Sequence, residues 1–314
     1  MKKMNILLLG GSRVVGLLER FHAAAALLDT ELEIVSFEDD KPWHAITAAG
    51  VAKTVSAPMF NGPEFTDFIV KYARENAIDI VIPFIDKATV AVAKAALQLK
   101  ETGVLPLVSS LEVCEAMADK ARADTVFKEL GLHVPPSDHF PLLAKPRFGS
   151  SGRGIVTLHD TEELEFWRIH NKEEDFMIQS CIEGKEYSID AYVDNKGRLL
   201  GAVSRVREVV SGGEAMITCT EHNEDALMLT EKLLSWGAWC GPITVQVMHD
   251  GEQGWILESN PRFGSGATCS IEAGLAMPEW ILRERLGLPL PDKILEWKDG
   301  LCMTRARKDY FLWL

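Results

Sequence analysis

The chain has 314 residues, 47% of them hydrophobic and 25% charged, an ordinary globular composition with enough chain for two or three core-forming units. Its 33 basic and 46 acidic residues leave a net charge of −13, which argues against nucleic acid or an anionic membrane as bulk partner yet permits a local basic pocket for phosphate. No stretch approaches the ~20 apolar residues of a membrane span, and the apolar run behind Lys2 and Lys3 is too short for a signal segment. The six cysteines, Cys114, Cys181, Cys219, Cys240, Cys269 and Cys302, form no CxxC pair and read as reduced, mostly buried thiols of a cytoplasmic protein.

Asn5 to Leu9 is a continuous apolar run ending at Gly10-Gly11, as expected of a strand buried on both faces. A helix is predicted over Arg20 to Leu28, a strand over Glu33 to Phe37, and a helix over Pro63 to Ala77 with Phe65, Phe68, Ile69, Tyr72 and Ala73 on one face. Ile78 to Pro83 and Val104 to Val108 complete an alternating pattern that implies a parallel sheet. The turn Gly10-Gly-Ser-Arg-Val-Val-Gly16 departs from GxGxxG, so a degenerate Rossmann-like domain is expected rather than a dinucleotide site. The acids at 38–40 read as a solvated strand end, with a ribose contact as the alternative.

Ser109-Ser-Leu-Glu112 is a capping box opening a helix expected to run to about Leu130, carrying Lys120 and stopped by Gly131. Leu142 to Pro146 reads as a strand bearing Lys145. It leads into Arg147-Phe-Gly-Ser-Ser-Gly-Arg-Gly154, whose free N–H groups at Gly149, Ser150, Ser151 and Gly152 suit a polyphosphate. Phe176 to Ile182 is a further strand, and Tyr187 to Val193 another, with Glu186, Ser188 and Asp190 on one face. Gly241 to Met248 and Trp255 to Arg262 form a hairpin around Asp250-Gly-Glu-Gln-Gly254. A turn centred on Glu252 places Gln246 opposite Glu258, with Asn260 on the same face: one carboxylate and two carboxamides, a hard oxygen set suited to magnesium. Arg262 follows two residues later, where it could neutralise a transferring phosphoryl group.

Lys120, Lys145-Pro146, the loop 147–154 and Glu258-x-Asn260-x-Arg262, in this order, resemble the ATP-grasp superfamily, and more closely single-module relatives of the carbamoyl phosphate synthase large chain. The resemblance covers roughly residues 110–290 by motif and the first third by architecture. It implies an α/β fold with α+β lobes: a Rossmann-like N-terminal domain over 1–110, then a two-lobed ATP-grasp domain over 111–314 with a small lid lobe at about 138–190. It further implies ATP with Mg or Mn. Lys120, Lys145 and the loop would hold the phosphates; Gln179 and the backbone at Cys181 and Ile182 the adenine; Glu186 the ribose; Gln246, Glu258 and Asn260 the metal; and Arg262 and Lys145 the transition state. Family members often carry glutamate where this chain has Gln179.

The implied activity is that of a ligase joining a small-molecule carboxylate, activated as an acyl phosphate, to an amine, with an amino-acid acceptor as the leading expectation. The alternatives are carbamoyl phosphate synthase-like or other phosphoryl transfer, and a non-catalytic ATP-binding regulatory module. Arg205, Arg207, Ser265 and Gly266 are the candidate substrate contacts, and Cys269 is read as pocket wall. A homo-oligomer or a partner subunit is left open, and the C-terminus Leu301 to Leu314, ending in the apolar Tyr310 to Leu314, reads as either a final docked strand or an oligomer contact.

Overall fold

A computed structural model describes residues 2–39, 41, 43–149, 152–294 and 296–311. Ser150 and Ser151, expected in the phosphate loop, lie outside the described residues, as do Asp40 of the acidic cluster and residues 312–314 of the tail.

The first hundred residues run β1 (Lys2–Leu9), α1 (Val15–Leu27), β2 (Thr30–Glu38), α2 (Ala45–Ala48), β3 (Lys53–Ser56), α3 (Phe65–Glu75), β4 (Ile80–Pro83), α4 (Asp86–Glu101) and β5 (Leu105–Pro106). The strands form a parallel five-stranded sheet in the order β3-β2-β1-β4-β5. The unbroken apolar run of β1 is explained by its two covered faces. Ile6 and Leu8 pack with Phe21 of α1, while Leu7 and Leu9 pack on the opposite side with Phe65 and Ile69 of α3 and Val92 of α4. The expected α3 face is the buried one, with Phe37 against Phe68 and Tyr72 at centroid distances of 5.4 and 4.8 Å.

The capping box opens one residue later than expected, with the Ser110 side chain accepting from the Val113 N–H. The single helix expected to Leu130 is two: α5 (Leu111–Ala118) and α6 (Lys120–Glu129). Asp119 separates them in an extended conformation and caps α6 by accepting from Ala121 N–H. Lys120 is therefore the first residue of a new helix rather than the middle of a long one.

A small three-stranded sheet, order β7-β6-β8, follows from β6 (Leu142–Pro146), β7 (Val156–Leu158), α7 (Thr161–His170) and β8 (Phe176–Ser180), with its own core of Leu142, Ala144, Leu158 and Trp167. The remaining elements are β9 (Lys185–Val193), β10 (Leu199–Ser211), β11 (Glu214–Thr220), α8 (Glu224–Leu234), β12 (Gly241–His249), β13 (Gly254–Asn260), α9 (Ala267–Ala273), α10 (Met277–Leu286) and β14 (Cys302–Thr304). Their strands form an antiparallel sheet in the order β13-β12-β9-β10-β11-β14. Tyr187, Ile189 and Ala191 of β9 join Val245 and Val247 of β12 in a core shared with α6 and α8.

One core spans the two large sheets: Ile6, Leu8 and Phe21 pack with Phe263, Trp280 and Ile281. The aromatic contacts Phe21–Phe263 (6.2 Å, edge-on) and Phe84–Phe263 (5.6 Å, stacked) lie at this junction, where each such pair contributes about 1 kcal/mol beyond area burial.

One expectation is corrected here. Cys219 and Cys302, read as thiols, are joined in a disulfide that staples β14 to β11, because the antiparallel register sets the two residues directly opposite. Spacing along the chain carries no hint of a pair 83 residues apart. The tail contributes a docked strand, β14, and beyond it Tyr310 packs against the shared core while Phe311 is exposed.

Candidate nucleotide and metal site

The hairpin β12–β13 has the expected register, with Gln246 opposite Glu258 and Thr244 opposite Asn260. A bulge between Gln246 and Val247 restarts the alternation toward the turn. The pairing is reinforced at the turn, where Asp250 accepts from Gln253 N–H, Glu252 N–H and the Trp255 indole, which together hold its carboxyl at about 2.

A cavity of about 260 Å³ gathers Lys120, Lys145, Gly149, Gly152, Glu186, Arg207, Gln246 and Glu258 from six separate elements and the glycine loop, together with Arg153 and Gly213. A larger groove of about 810 Å³ between α4 and α8 shares no lining residue with it.

The cationic side is built as follows. The Lys120 ammonium donates to the Gly149 carbonyl at 2.8 Å, and the Lys120 N–H donates to the Arg147 carbonyl at 3.0 Å. Arg147 closes the clamp: its Nε donates to Asp119 Oδ1 at 3.0 Å and its Nη2 pairs with Asp119 Oδ2. This bidentate arginine contact holds the Asp119 carboxyl below its usual range, helped by the α6 N–H groups. The start of the loop is thus bolted to the start of α6. Lys145 lies deeper. Burial pushes its ammonium below the usual lysine range, Glu258 opposes that shift, and Lys120 adds to it. Lys145 donates to Gln179 Oε1 at 3.1 Å, and Gln179 Nε2 donates to Asp124 Oδ1 at 3.0 Å. A carboxylate only accepts, so Asp124 fixes the amide with its oxygen toward Lys145.

On the acidic side, Gln246 Nε2 donates to Glu186 Oε1 at 2.8 Å, leaving Gln246 Oε1 for a cation. Asn260 Nδ2 donates to Glu258 Oε1 at 3.1 Å, so Asn260 also turns its oxygen outward, where Arg262 Nη2 meets it at 3.2 Å. The donors left over are amide and carboxylate oxygens, the set that fits a hard divalent cation. Glu186 also receives Arg207 Nη1, and Arg207 Nη2 donates to the Gly213 carbonyl at 2.9 Å.

Several expected residues are not at the cavity wall. Gln179 sits behind Lys145, and Asn260 behind Glu258; Arg262 lies beyond them, its Nε on Asp86 Oδ1 at 2.6 Å. The Cys181 N–H is taken by the Pro141 carbonyl at 2.8 Å. Gly184, in the connector beyond Ile182, has no room for a Cβ, which would strike the His249 carbonyl.

Arg205 is corrected outright. It is 2% exposed and its Nε donates to Asp190 Oδ2 at 2.8 Å, deep in the sheet. Thr244 and Ser270 each donate to the same carboxylate at 2.6 Å. The alternation that turns Arg207 toward Glu186 should turn Arg205 to that side too, but Asp190 and Ser188 are buried there under α9. Gly266 belongs to this network, since a Cβ on it would collide with the Arg205 guanidinium; Ser265 beside it is exposed. Cys269 is core rather than pocket wall: it is 2% exposed, its thiol faces the Thr218 and Leu301 carbonyls, and burial raises its pKa.

Sequence reasoning missed Asp119, Arg147 in its clamping role, Asp124 and Asp86. Only the N-cap pattern at Asp119 was readable in advance.

Residues 172–308 match a family described as ATP-grasp in the biosynthetic pathway with Ter operon. The carbamoyl phosphate synthase large chain of Clostridium perfringens is 24% identical over 216 residues, 60% of this chain but only 20% of that one. Among solved structures, the biotin carboxylase domain of Hydrogenobacter thermophilus 2-oxoglutarate carboxylase, in complex with MgADP, ADP and bicarbonate, superposes with a TM-score of 0.70 at 18% identity, covering 91% of this chain and 70% of that one. An L-amino acid ligase from Bacillus licheniformis gives 0.67 at 19% identity, covering 91% and 75%. Residues 172–308 thus match an ATP-grasp family, and 91% of the chain shares its fold with a biotin carboxylase domain. Among the described residues, no helix is long and apolar enough to cross a membrane.

Proposed function

We propose that this chain binds Mg-ATP and acts as a ligase that phosphorylates a small-molecule carboxylate and delivers the acyl phosphate to an amine. The observation that carries the reading is the facing of two lysines, Lys120 and Lys145, against the oxygen donors of Gln246 and Glu258 across one cavity. A polyphosphate with a divalent cation matches both walls at once, because its oxygens neutralise the ammonium groups while the cation neutralises the carboxylate. One structural relative, a biotin carboxylase domain, is in complex with MgADP, and another is an L-amino acid ligase. Residues 1–110 then serve as the N-terminal domain, 111–314 as the ATP-grasp domain and about 138–190 as the lid.

In this reading Lys120 and the N–H groups of Gly149 and Gly152 grip the phosphates, and the loop tied down by Asp119–Arg147 excludes water from the acyl phosphate. Glu186 meets the ribose once Arg207 and Gln246 share it, and the backbone at Ile182 with Gln179 Oε1 meets the adenine. Gln246, Glu258 and Asn260 would hold magnesium, which would supply charge neutralisation on the phosphates. Lys145 and Arg262 stabilise the equatorial oxygens as the γ-phosphoryl moves from the β-phosphate oxygen to a carboxylate oxygen. An amine then displaces inorganic phosphate.

The test is ADP release from Mg-ATP with pooled amino acids, in the wild type and in Glu258→Gln. Release that depends on one pool and falls at least about 100-fold in the variant supports the ligase, since the variant loses the one carboxylate of the metal set. Binding of Mg-ATP with no stimulation by any pool would instead favour carbamoyl phosphate synthase-like chemistry or a regulatory module.

A further inference from the structure

Arg262 makes three hydrogen bonds, and the strongest-looking one does not come from its own domain. Its Nη2 donates to Asn260 Oδ1 at 3.2 Å and its Nη1 to the Phe263 carbonyl at 3.1 Å, but its Nε donates to Asp86 Oδ1 at 2.6 Å, across 176 residues of chain. Asp86 is the first residue of α4, where the unpaired N–H groups and the positive end of the helix favour a carboxylate. α4 is anchored by Ala88, Ala91, Val92, Ala95 and Leu99 in the core of the N-terminal sheet, so the carboxylate stands on a rigid element. The seat is built on both sides: Phe84, two residues before Asp86, stacks on Phe263, the residue after Arg262. Both partners are largely shielded, with side-chain exposures of 17% for Arg262 and 30% for Asp86.

We infer that Asp86 is a positioning residue for phosphoryl transfer, holding the Arg262 guanidinium in a fixed plane and away from Glu258. Two physical points support this. A guanidinium has five N–H groups, and three are engaged here, so one on each Nη remains for a phosphoryl or carboxylate oxygen. Fixing Nε sets the plane in which those two are offered. Second, Arg262 without Asp86 has another anion to turn to, since Asn260 alone bridges its guanidinium to Glu258. Pairing with Glu258 would consume the carboxylate that the cation needs. Asp86 therefore makes the N-terminal domain part of the reaction centre without touching nucleotide. The inference rests on the Mg-ATP reading above.

The test measures Mg-ADP affinity by calorimetry, Mg-ATP turnover with and without pooled amino acids, and Tm for the wild type, Asp86→Asn, Asp86→Glu and Phe84→Leu. Asp86→Asn is expected to lower kcat about 10- to 100-fold, the value of one hydrogen bond between charged groups, with the Kd for Mg-ADP and the KM for Mg-ATP within about two-fold. Asp86→Glu restores part of kcat. Phe84→Leu serves as the packing control, lowering Tm with a smaller loss of kcat. An Asp86→Asn variant with wild-type kcat overturns the inference and leaves the nucleotide reading standing. So does a loss matched by Phe84→Leu in both kcat and Tm, which would make the contact structural. A wild type that neither binds Mg-ADP nor turns over Mg-ATP overturns the nucleotide reading and the inference with it.

Discussion

Replacing Lys145 by Met separates the cost of burying a charge from its use. The Lys145 ammonium is desolvated beside Lys120 and is balanced by Glu258 and the Gln179 amide oxygen, which it meets at 3.1 Å. Met matches its length and removes the desolvation penalty, but it leaves Gln179 Oε1 without its donor and Glu258 without its counter-charge. A hydrogen bond to a charged group contributes about 1.5–3 kcal/mol, and relief of a buried charge is of similar size with opposite sign. Free-protein stability should therefore change by no more than about 1 kcal/mol, a Tm shift of about 2–4 °C for a chain of this class. A phosphate oxygen brought to the ammonium gains a comparable charge-assisted bond with no offsetting relief in the variant, so affinity for Mg-ATP should fall about 10- to 100-fold. Calorimetric titration with a non-hydrolysable ATP analogue and magnesium measures the second quantity, and a thermal melt the first. A large drop in Tm with unchanged nucleotide affinity would refute the reasoning, because it would make Lys145 a structural cation rather than a phosphate ligand.

Arg205→Met should behave in the opposite way, destabilising the fold by about 3–5 kcal/mol because Asp190 is left as an uncompensated buried charge; chemical denaturation checks this, and loss of substrate affinity with intact stability would contradict it. Asp119→Ala should loosen the loop clamp and destabilise by about 1–2 kcal/mol at neutral pH through the lost cap and ion pair. Since Asp119 has a depressed pKa in the fold, its contribution is complete above the unfolded carboxylate pKa and is lost as pH falls through the folded one. The stability gap between wild type and variant, followed by denaturation at stepped pH, should therefore narrow on acidification; a gap that widens would be inconsistent with the pairing.

The strands that carry Lys145, Gln246 and Glu258 could be read from the chain because their signals are local. Period two places Gln246 across from Glu258 once the turn Asp250–Gly254 is recognised, and the observed register agrees. The run Leu142 to Pro146 ends in a glycine-rich stretch in the same way. Helical periodicity likewise identified the buried face of α3. The same logic misjudged Arg205, since alternation assigns a side of the sheet but not whether α9 covers that side. It also ran α5 and α6 together, since the break is stabilised by Arg147 from 28 residues away.

What the sequence determined by itself is the type and order of the chemistry: alternating strands and helices, a lysine before a glycine loop, and one carboxylate with two carboxamides on a hairpin face. These follow from bond geometry over a few residues. Tertiary structure alone decided which side chains meet. It paired Asp86 with Arg262, Asp124 with Gln179, and Cys219 with Cys302. Each of these contacts joins elements brought together by the burial of cores far from it, and hydrophobic burial is non-directional, so no local pattern in the chain records its partner.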